Sequence, residues 1–359
     1  MSLTIVAIVI ACFFAMNIGA SGTAAAMGPA YGSGAIPNKR IAMLLVGIFA
    51  FLGALSGDEV VRTIGSGIIP TSIVDVEIVI IILAAACLSL FIANLLGIPL
   101  STSEVIVGAI VGAGIAYQAL FFDSLLVIVS FWVIVPVVAF FLAFVFGYFV
   151  KILENKHPAL KGEGKWRKPL AILLIVSACM EAFAAGMNNV ANAIGPLVGA
   201  GLIDIQFAIL LGGFFVALGA IFLGGKVLET NGKRITKLSL LQGSTVSLTG
   251  GSLVIIASIF GLPVPLTQVT TSAIIGIGTL EGGFRLWQKS ILKQIIKVWI
   301  VSPLFSLVLS YGLILLFKQG DYYSLAVLLS VLIATVGSFS LYKTVRKERR
   351  MTYDDGAGI

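Results

Sequence analysis

Small hydrogen-bond donors occur inside the apolar segments of this chain at a few separate places. Nearly all of them are uncharged amide or hydroxyl side chains, and Gly22 adds a backbone donor. Uncharged donors in an apolar setting can replace the water shell of an anion. The predicted anion-binding residues are Ser21, Gly22, Thr23, Ser101, Thr102, Ser103, Asn188, Asn189, Asn192, Thr267 and Gln268. Thr270 and Thr271 are left open between binding and packing, because their counterparts in the first half are Ile106 and Val107.

The apolar segments themselves are long enough to cross a membrane. Of the 359 residues, 59% are hydrophobic and only 11% are charged, too few charges for the surface of a soluble protein of this size. Apolar runs of about 20 residues recur along the chain, the length that spans a hydrocarbon layer of about 30 Å. The predicted fold class is therefore an all-α polytopic membrane protein. The N-terminal run is predicted to be a retained first span rather than a signal peptide.

About eleven membrane segments are predicted from these runs. Two of them are expected to be broken helices, interrupted near 18–24 and near 186–190, and two pairs are expected to form helical hairpins. The predicted segments are 3–34, 41–56, 73–96, 98–118, 124–150, 169–201, 205–223, 239–260, 264–281, 291–317 and 321–342.

The chain also repeats itself. Residues 19–29 align with 186–196, residues 57–65 with 224–232, and residues 97–105 with 261–269, in the same order and at nearly one offset. Three such windows indicate a duplication. The predicted organisation is a first repeat at 1–150, a cytoplasmic loop at 151–168, a second repeat at 169–318, and an additional span with a basic cytoplasmic tail at 319–359.

The basic residues predict the orientation of the two repeats. Every Lys and Arg except Arg62 and Lys318 lies at 39–40, 151–168, 226–237, 285–297 or beyond residue 342. The positive-inside rule places these segments in the cytoplasm, with the N-terminus outside and the C-terminus inside. Equivalent loops of the two repeats then lie on opposite faces, which is an inverted-topology duplication. Because the net charge of +7 is spread over these loops, the chain is not expected to bind nucleic acid.

The polar breaks favour a binding site over simple helix packing. Gly, Ser and Thr are common at membrane helix interfaces, so a single such residue would indicate packing alone. Here the polar clusters recur at corresponding positions of both halves, each beside a Gly or Pro that interrupts a helix. Interrupted helices direct free N–H groups and a positive partial charge at the midplane, where an anion can bind.

Residues 186–196, Gly-Met-Asn-Asn-Val-Ala-Asn-Ala-Ile-Gly-Pro, resemble the signature Gly-Ala-Asn-Asp-Val-Ala-Asn-Ala of the inorganic phosphate transporter (PiT) family. The hairpin segments resemble that family's Pro-Val/Ile-Ser-Thr-Thr-His stretch. The resemblance covers essentially the whole chain. It implies an inverted-repeat fold that holds an oxyanion between broken helices and hairpin tips and carries it in symport with a cation.

The departures from the family pattern favour sulfate over phosphate. Gly22 and Asn189 stand where the family has Asp. Phosphate carries a proton near neutral pH and benefits from a carboxylate acceptor, whereas sulfate only accepts hydrogen bonds. The segment 17–22 is also similar to the branch of the family that serves as bacterial sulfate permeases. Other departures are Ser21 and Ala25 for Asn, Glu104 and Gln268 for the hairpin His, and Pro265 and Leu266 for Ser-Thr.

Two acidic residues, Glu104 and Glu181, lie within apolar segments and are the predicted coupling residues. The alternative for Glu181 is a hydrated vestibule or an ion pair with a loop cation. Loss of the family's Asp residues weakens the case for sodium, so the expected cotransported cation is H+ rather than Na+. No other cofactor is expected.

Two further classes of function are weighed against a sulfate carrier: a phosphate symporter of the same family, and an anion channel. An enzyme is not expected, because the single His157 lies in a charged loop and no metal-binding spacing occurs. The predicted partners are sulfate or a related oxyanion and the lipid bilayer of a bacterial inner membrane. The oligomeric state is left open, a homodimer included.

Overall fold

The computed structural model of the chain describes residues 2–96, 100–162, 164–233, 238–283, 290–328 and 330. These residues form helices and connecting turns, with no β-strand among them. The helices of the first half are α1 (Ser2–Ile18), α2 (Gly28–Gly32), α3 (Lys39–Ala54), α4 (Asp58–Ser66), α5 (Val76–Leu96), α6 (Thr102–Ala116) and α7 (Phe122–Lys156). Those of the second half are α8 (Arg167–Gly199), α9 (Ile205–Leu223), α10 (Gly225–Lys233), α11 (Leu240–Ile259), α12 (Leu266–Gly282) and α13 (Ser290–Ile314).

Seven of the described helices are long and apolar enough to cross a membrane, and the bent pair α3 and α4 brings the number to eight. Many of the exposed side chains on these helices are large and apolar, such as Phe122 on α7 and Phe222 on α9, as expected for surfaces in contact with lipid. The chain is therefore a multi-pass membrane protein. The predicted count of eleven segments included the shorter helices α6 and α12 and the span 321–342, most of which lies outside the described residues.

The first helix is interrupted where the sequence predicts. A π-helical turn, Gly19–Thr23, follows α1, and Ser21 within it has the non-helical angles φ −100° and ψ −106°. A Cβ on Gly19 would come within 2.0 Å of the Val216 carbonyl oxygen on α9. The turn is thus buried against a neighbouring helix, where only glycine allows so close an approach.

The predicted break near 186–190 is wrong, because α8 is continuous from Arg167 to Gly199. The glycine that suggested it has a packing role: a Cβ on Gly186 would lie 1.9 Å from the Ala50 carbonyl oxygen on α3. The amide side chains that follow Gly186 form hydrogen bonds with side chains of other helices. They do not compete for the backbone hydrogen bonds of α8, which therefore stays helical.

Helix α8 is the central element of the fold. It packs against α11, α3, α4, α9 and α1. Glycines allow the closest of these contacts: a Cβ on Gly53 would lie 1.9 Å from the Phe183 carbonyl oxygen, and one on Gly199 would lie 1.9 Å from that of Gly65. Helices α3 and α4 bend by 72° at the residues between them, which lets both follow the surface of α8.

The two hairpins bring polar residues into the interior. Helix α5 packs against α6, and α11 packs against α12; residues 97–99, at the tip of the first hairpin, lie outside the described residues. Ser101 caps α6 by accepting a hydrogen bond from the Glu104 N–H, and Pro265 precedes the first residue of α12. The described residues up to Ser310 form one compact unit. The described residues from Tyr311 onward form a second, in which Leu325 and Leu328 lie beside Gly312.

We expect Gly186→Ala to destabilise the protein by about 1–3 kcal/mol, because the added methyl overpacks the α3–α8 contact. Thermal unfolding in detergent should show a midpoint several degrees below that of the wild type. Gly282→Ala is the matched control, since its Cβ would have no heavy atom within 4 Å. Equal midpoints for Gly186→Ala and the wild type would contradict the packing role.

Candidate functional site

Four elements meet at one buried polar centre: the π turn after α1, the start of α6, the middle of α8 and the start of α12. Every side chain of the predicted anion site lies there and is buried, with Gln268 the most exposed at 6%. The described residues buried in the protein include no Lys or Arg. The centre therefore offers hydrogen-bond donors without a positive side chain.

Asn189 joins three of these elements. Its Oδ1 accepts a hydrogen bond from the Thr102 hydroxyl at 3.1 Å, and its Nδ2 donates to Thr23 Oγ1 at 3.4 Å. A Cβ on Gly22 would lie 3.6 Å from Asn189 Nδ2 and 3.5 Å from Thr267 Cγ2. Two residues of the second half, on α8 and α12, thus lie beside Gly22 of the first half, and no side chain of Gly22 occupies the space between them.

Asn192 lies one turn further along α8. Its Nδ2 donates to Thr102 Oγ1 at 2.9 Å and to Ser103 Oγ at 3.2 Å. Its Oδ1 and the Thr267 hydroxyl have no hydrogen-bond partner within the described part of the chain. Buried polar atoms without a partner are uncommon, and they mark places where a bound group can complete the bonding. The Thr267 hydroxyl can donate to an anion, whereas Asn192 Oδ1 is an acceptor and needs a donor such as water.

Asn188 has a bracing role instead. Its Nδ2 donates to Ser258 Oγ and to the Leu262 carbonyl, both at 2.9 Å. Its Oδ1 accepts from the Val264 N–H at 3.2 Å and from the Ser103 hydroxyl at 3.4 Å. All of its bonding groups are occupied by the second hairpin and α6, so this side chain fixes the tip of the second hairpin.

Two further hydroxyls of the predicted set also hold the backbone. The Ser21 hydroxyl donates to the Leu100 carbonyl at 3.2 Å, which fastens the π turn to the first hairpin. Ser101 caps α6. The donors left for an anion are therefore fewer than the eleven predicted residues suggest. Among the described residues they include the hydroxyls of Thr23 and Thr267 and the second N–H of the Asn189 amide.

The two acidic residues are buried in the same interior. Gln268 Nε2 donates to Glu104 Oε1, and the Thr270 hydroxyl donates to Glu181 Oε1. The second carboxyl oxygen of each has no partner among the described residues. Neither acid forms an ion pair in the described part of the chain, where the two salt bridges are Lys39–Glu229 and Lys151–Glu281. Glu181 is fully buried, which argues against the hydrated vestibule considered from the sequence.

Helix α6 begins at Thr102 and α12 at Leu266, both at the polar centre. The first turn of a helix has N–H groups without intrahelical partners, and the helix dipole makes that end positive. These two helix ends therefore supply donors and partial positive charge at the centre. The potential there suits an anion although no basic side chain is present.

A cleft of about 710 Å³ extends from basic side chains to the interrupted helix. Its outer part holds Lys39, Arg40 and Lys226, and its inner part holds Asn94 and Ala20, the neighbour of Ser21. Asn94 was not among the residues predicted from the sequence. Its Nδ2 donates to the Asn17 carbonyl at 2.8 Å, and its Oδ1 has no partner among the described residues. The signal that could have found it is its counterpart in the second half, Ser258, which is also polar.

No cluster of three or more His, Cys, Asp or Glu side chains that could hold a metal ion occurs within the residues that the structure describes. The donor set of hydroxyls, amides and two carboxyls is suited to hydrogen bonding rather than to transition-metal coordination.

A multi-pass helical fold with a buried polar centre, and with a cleft that reaches the interrupted first helix, is typical of a membrane transporter. The model of the phosphate transporter family matches residues 18–310. The chain belongs to this family. The resemblance noted in the sequence is thereby confirmed, and so is the expectation that the protein is a transporter and not an enzyme.

Two known proteins show how close the relationship is. The chain is 55% identical over 354 residues to the sulfate permease CysP of Bacillus subtilis (strain 168), covering 98% of this chain and 99% of that protein. It also matches the solved structure of a sodium-dependent phosphate transporter with a TM-score of 0.77 and 27% identity, covering 89% of this chain and all of that one.

We expect Asn188→Ala to lower the thermal stability of the protein, because the Val264 N–H, buried at the hairpin tip, would lose its acceptor. One buried group left unpaired costs about 1–3 kcal/mol. Ser89→Ala is the control, since that buried hydroxyl bonds only within its own helix, to the Ala85 carbonyl at 2.8 Å. Unfolding midpoints in detergent that fall equally for both variants would contradict the bracing role.

Proposed function

We propose that this protein is a secondary active transporter that imports inorganic sulfate across the cytoplasmic membrane of a bacterium in symport with protons. The observation that carries the proposal is the position of Asn189, an amide bonded to Thr102 and Thr23 and adjacent to Gly22 at the polar centre. The name of the Bacillus subtilis relative, a sulfate permease, supports the choice of substrate.

The chemistry of the two oxyanions distinguishes the substrates. Sulfate carries no proton at neutral pH and accepts hydrogen bonds only, so hydroxyl, amide and backbone donors satisfy it completely. Hydrogen phosphate also has a proton to donate, and its selection benefits from a carboxylate acceptor. A carboxylate in place of the Asn189 amide would repel sulfate without forming a hydrogen bond to it.

A phosphate symporter is the second candidate. The family description and the name of the solved neighbour, a sodium-dependent phosphate transporter, favour it. Against it stands the amide of Asn189 at the centre. An anion channel with the same fold is a third candidate; a channel would show neither saturation nor counterflow.

Alternating access follows from the proposed inverted repeats. Helices α3 to α7 of the first half and α9 to α13 of the second half occur in the same order, a short helix after the first and a hairpin after that. This supports two oppositely inserted copies, with the N-terminus outside and the C-terminus inside. The cleft with Lys39, Arg40 and Lys226 then opens to the cytoplasm, where its basic side chains attract the anion. A homodimer is compatible with this arrangement.

Import of sulfate needs an energy source. Moving a dianion into a negative interior costs about 2.3 kcal/mol per charge per 100 mV, or about 4.6 kcal/mol in all. A cotransported cation removes this cost, and Glu104 and Glu181 are the buried acids that can bind it.

Purified protein in liposomes should accumulate labelled sulfate when an inward proton gradient is imposed, because protons bound in the interior compensate the charge of the anion. Labelled phosphate in parallel vesicles gives the selectivity, and a sodium gradient without a proton gradient gives the coupling ion. Phosphate transport without sulfate transport would reject the proposed substrate. Sulfate flux that neither saturates nor shows counterflow would indicate a channel instead.

The substitution Asn189→Asp should weaken sulfate uptake at least tenfold, since a single repulsive contact of about 1.4 kcal/mol has that effect. The replacement is isosteric, so the change tests charge and hydrogen bonding rather than size. Asn38→Asp is the control, because Asn38 caps α3 at an exposed position where Asp serves equally well. Unchanged uptake by Asn189→Asp would place Asn189 outside the binding site.

A further inference from the structure

The two buried acids share one arrangement. In each, one carboxyl oxygen accepts a hydrogen bond from a side chain of α12, from Gln268 for Glu104 and from Thr270 for Glu181. In each, the other oxygen has no hydrogen-bond partner among the described residues. Glu104 is 4% exposed and Glu181 is not exposed at all. Because Gln268 and Thr270 are two residues apart, one helix contacts both acids.

The surroundings of Glu181 are closely packed. A Cβ on Gly250 would lie 3.0 Å from Glu181 Oε1, and one on Gly251 would lie 3.1 Å from the Glu181 Cα. Both glycines are on α11, and Ser247 on the same helix lies near the Glu181 carboxyl group. Tight contact on this side leaves little room for a hydrated ion, whereas a proton on the unpartnered oxygen needs none.

Among the residues that the structure describes, no charged side chain compensates these acids. Helix α11 has no charged residue, and α12 has only Glu281 near its far end. Helix α8 and the helices packed against it carry most of their other charged groups at their ends: Arg167 and Lys168 on α8, Lys39 and Arg40 on α3, Asp58 and Glu59 on α4, and Glu77 on α5. Arg62, in the middle of the short helix α4, is exposed. An isolated carboxylate is strongly disfavoured in such an interior, and a bound proton removes the charge.

We propose that Glu104 and Glu181 each bind one proton and that both protons move with the anion, giving two protons per sulfate. The two protons balance the two negative charges of sulfate, so each complete transport cycle moves no net charge. This inference rests on the proposed function, sulfate import by proton symport, and fixes its stoichiometry.

The two acids have different positions relative to the anion. Glu104 is in the first turn of α6, next to Ser103 at the polar centre. Glu181 and Asn188 are two turns apart on α8, about 10 Å along its axis. In the proposed orientation Glu181 lies on the cytoplasmic side, where its proton can be released after the anion has left.

Proteoliposomes with the membrane potential clamped by potassium and valinomycin test the stoichiometry. For wild-type protein the steady-state accumulation of labelled sulfate should rise roughly 100-fold per unit of pH gradient, since the tenfold proton ratio acts twice. It should be the same at 0 and at −100 mV. A rise of only tenfold per pH unit, suppression by the negative potential, or accumulation driven by sodium alone would overturn the inference.

In the single variants Glu104→Gln and Glu181→Gln, the steady-state accumulation of sulfate should rise only about tenfold per unit of pH gradient. Each then moves one net negative charge, so −100 mV inside should lower accumulation roughly 50-fold. The double variant should lose proton-driven accumulation. Exchange of labelled for unlabelled sulfate shows that the variants are folded, and Glu154→Gln is the control, a buried glutamate at the end of α7 bonded to Ser239.

The outcomes separate the two proposals. Wild-type vesicles that take up no sulfate under any gradient would reject sulfate import and the stoichiometry with it. Sulfate accumulation that follows one proton per anion would reject the stoichiometry alone. A Glu181→Gln variant that keeps the full wild-type pH dependence would remove Glu181 from the coupling and would also overturn the inference.

Discussion

The hydrogen bonds between α8 and the start of α6 are the interaction on which the rest of the structure depends. Asn189 and Asn192 contact Thr102, whose hydroxyl would otherwise be buried without a partner, and Asn192 also donates to Ser103. In a membrane interior no water competes for these groups, so the pairing fixes the position of both elements. The space around Gly22 owes its shape to this pairing.

Close helix packing at glycine residues brings these hydrogen-bonding groups within reach of one another. The donors of α8 can meet α3, α4 and the hairpins only if helix backbones approach more closely than ordinary side chains allow. Gly53, Gly186 and Gly199 provide this approach, each with backbone atoms of another helix where its Cβ would be. In lipid the hydrophobic effect does not drive helices together, so these close contacts and the buried hydrogen bonds stabilise the packing. These contacts account for part of the glycine content of the chain, which has 40 glycine residues.

Part of this arrangement could be predicted from the sequence. The polar residues, the break after α1 and the meeting of both halves followed from the repeated pattern of donors beside Gly and Pro. The second break did not exist, because Gly186 marks a close helix contact and a sequence does not distinguish a contact glycine from a hinge glycine. The pairing of Glu181 with Thr270 was also out of reach. It joins residues on different helices whose first-half counterparts are apolar, so no pattern pointed to it.

The negative charges in the interior determine the energetic cost of binding a dianion at the site. A centre of uncharged donors cannot hold a dianion beside two ionised carboxylates, because three uncompensated negative groups would share one dry region. With a proton on each acid, the bonds from Gln268 and Thr270 go to neutral groups, and the dianion is the only full charge. In the proposed symport, the membrane potential acts on sulfate and two protons together, and its effects cancel. The protons that would let the acids remain buried would thus also allow the anion to enter against the field.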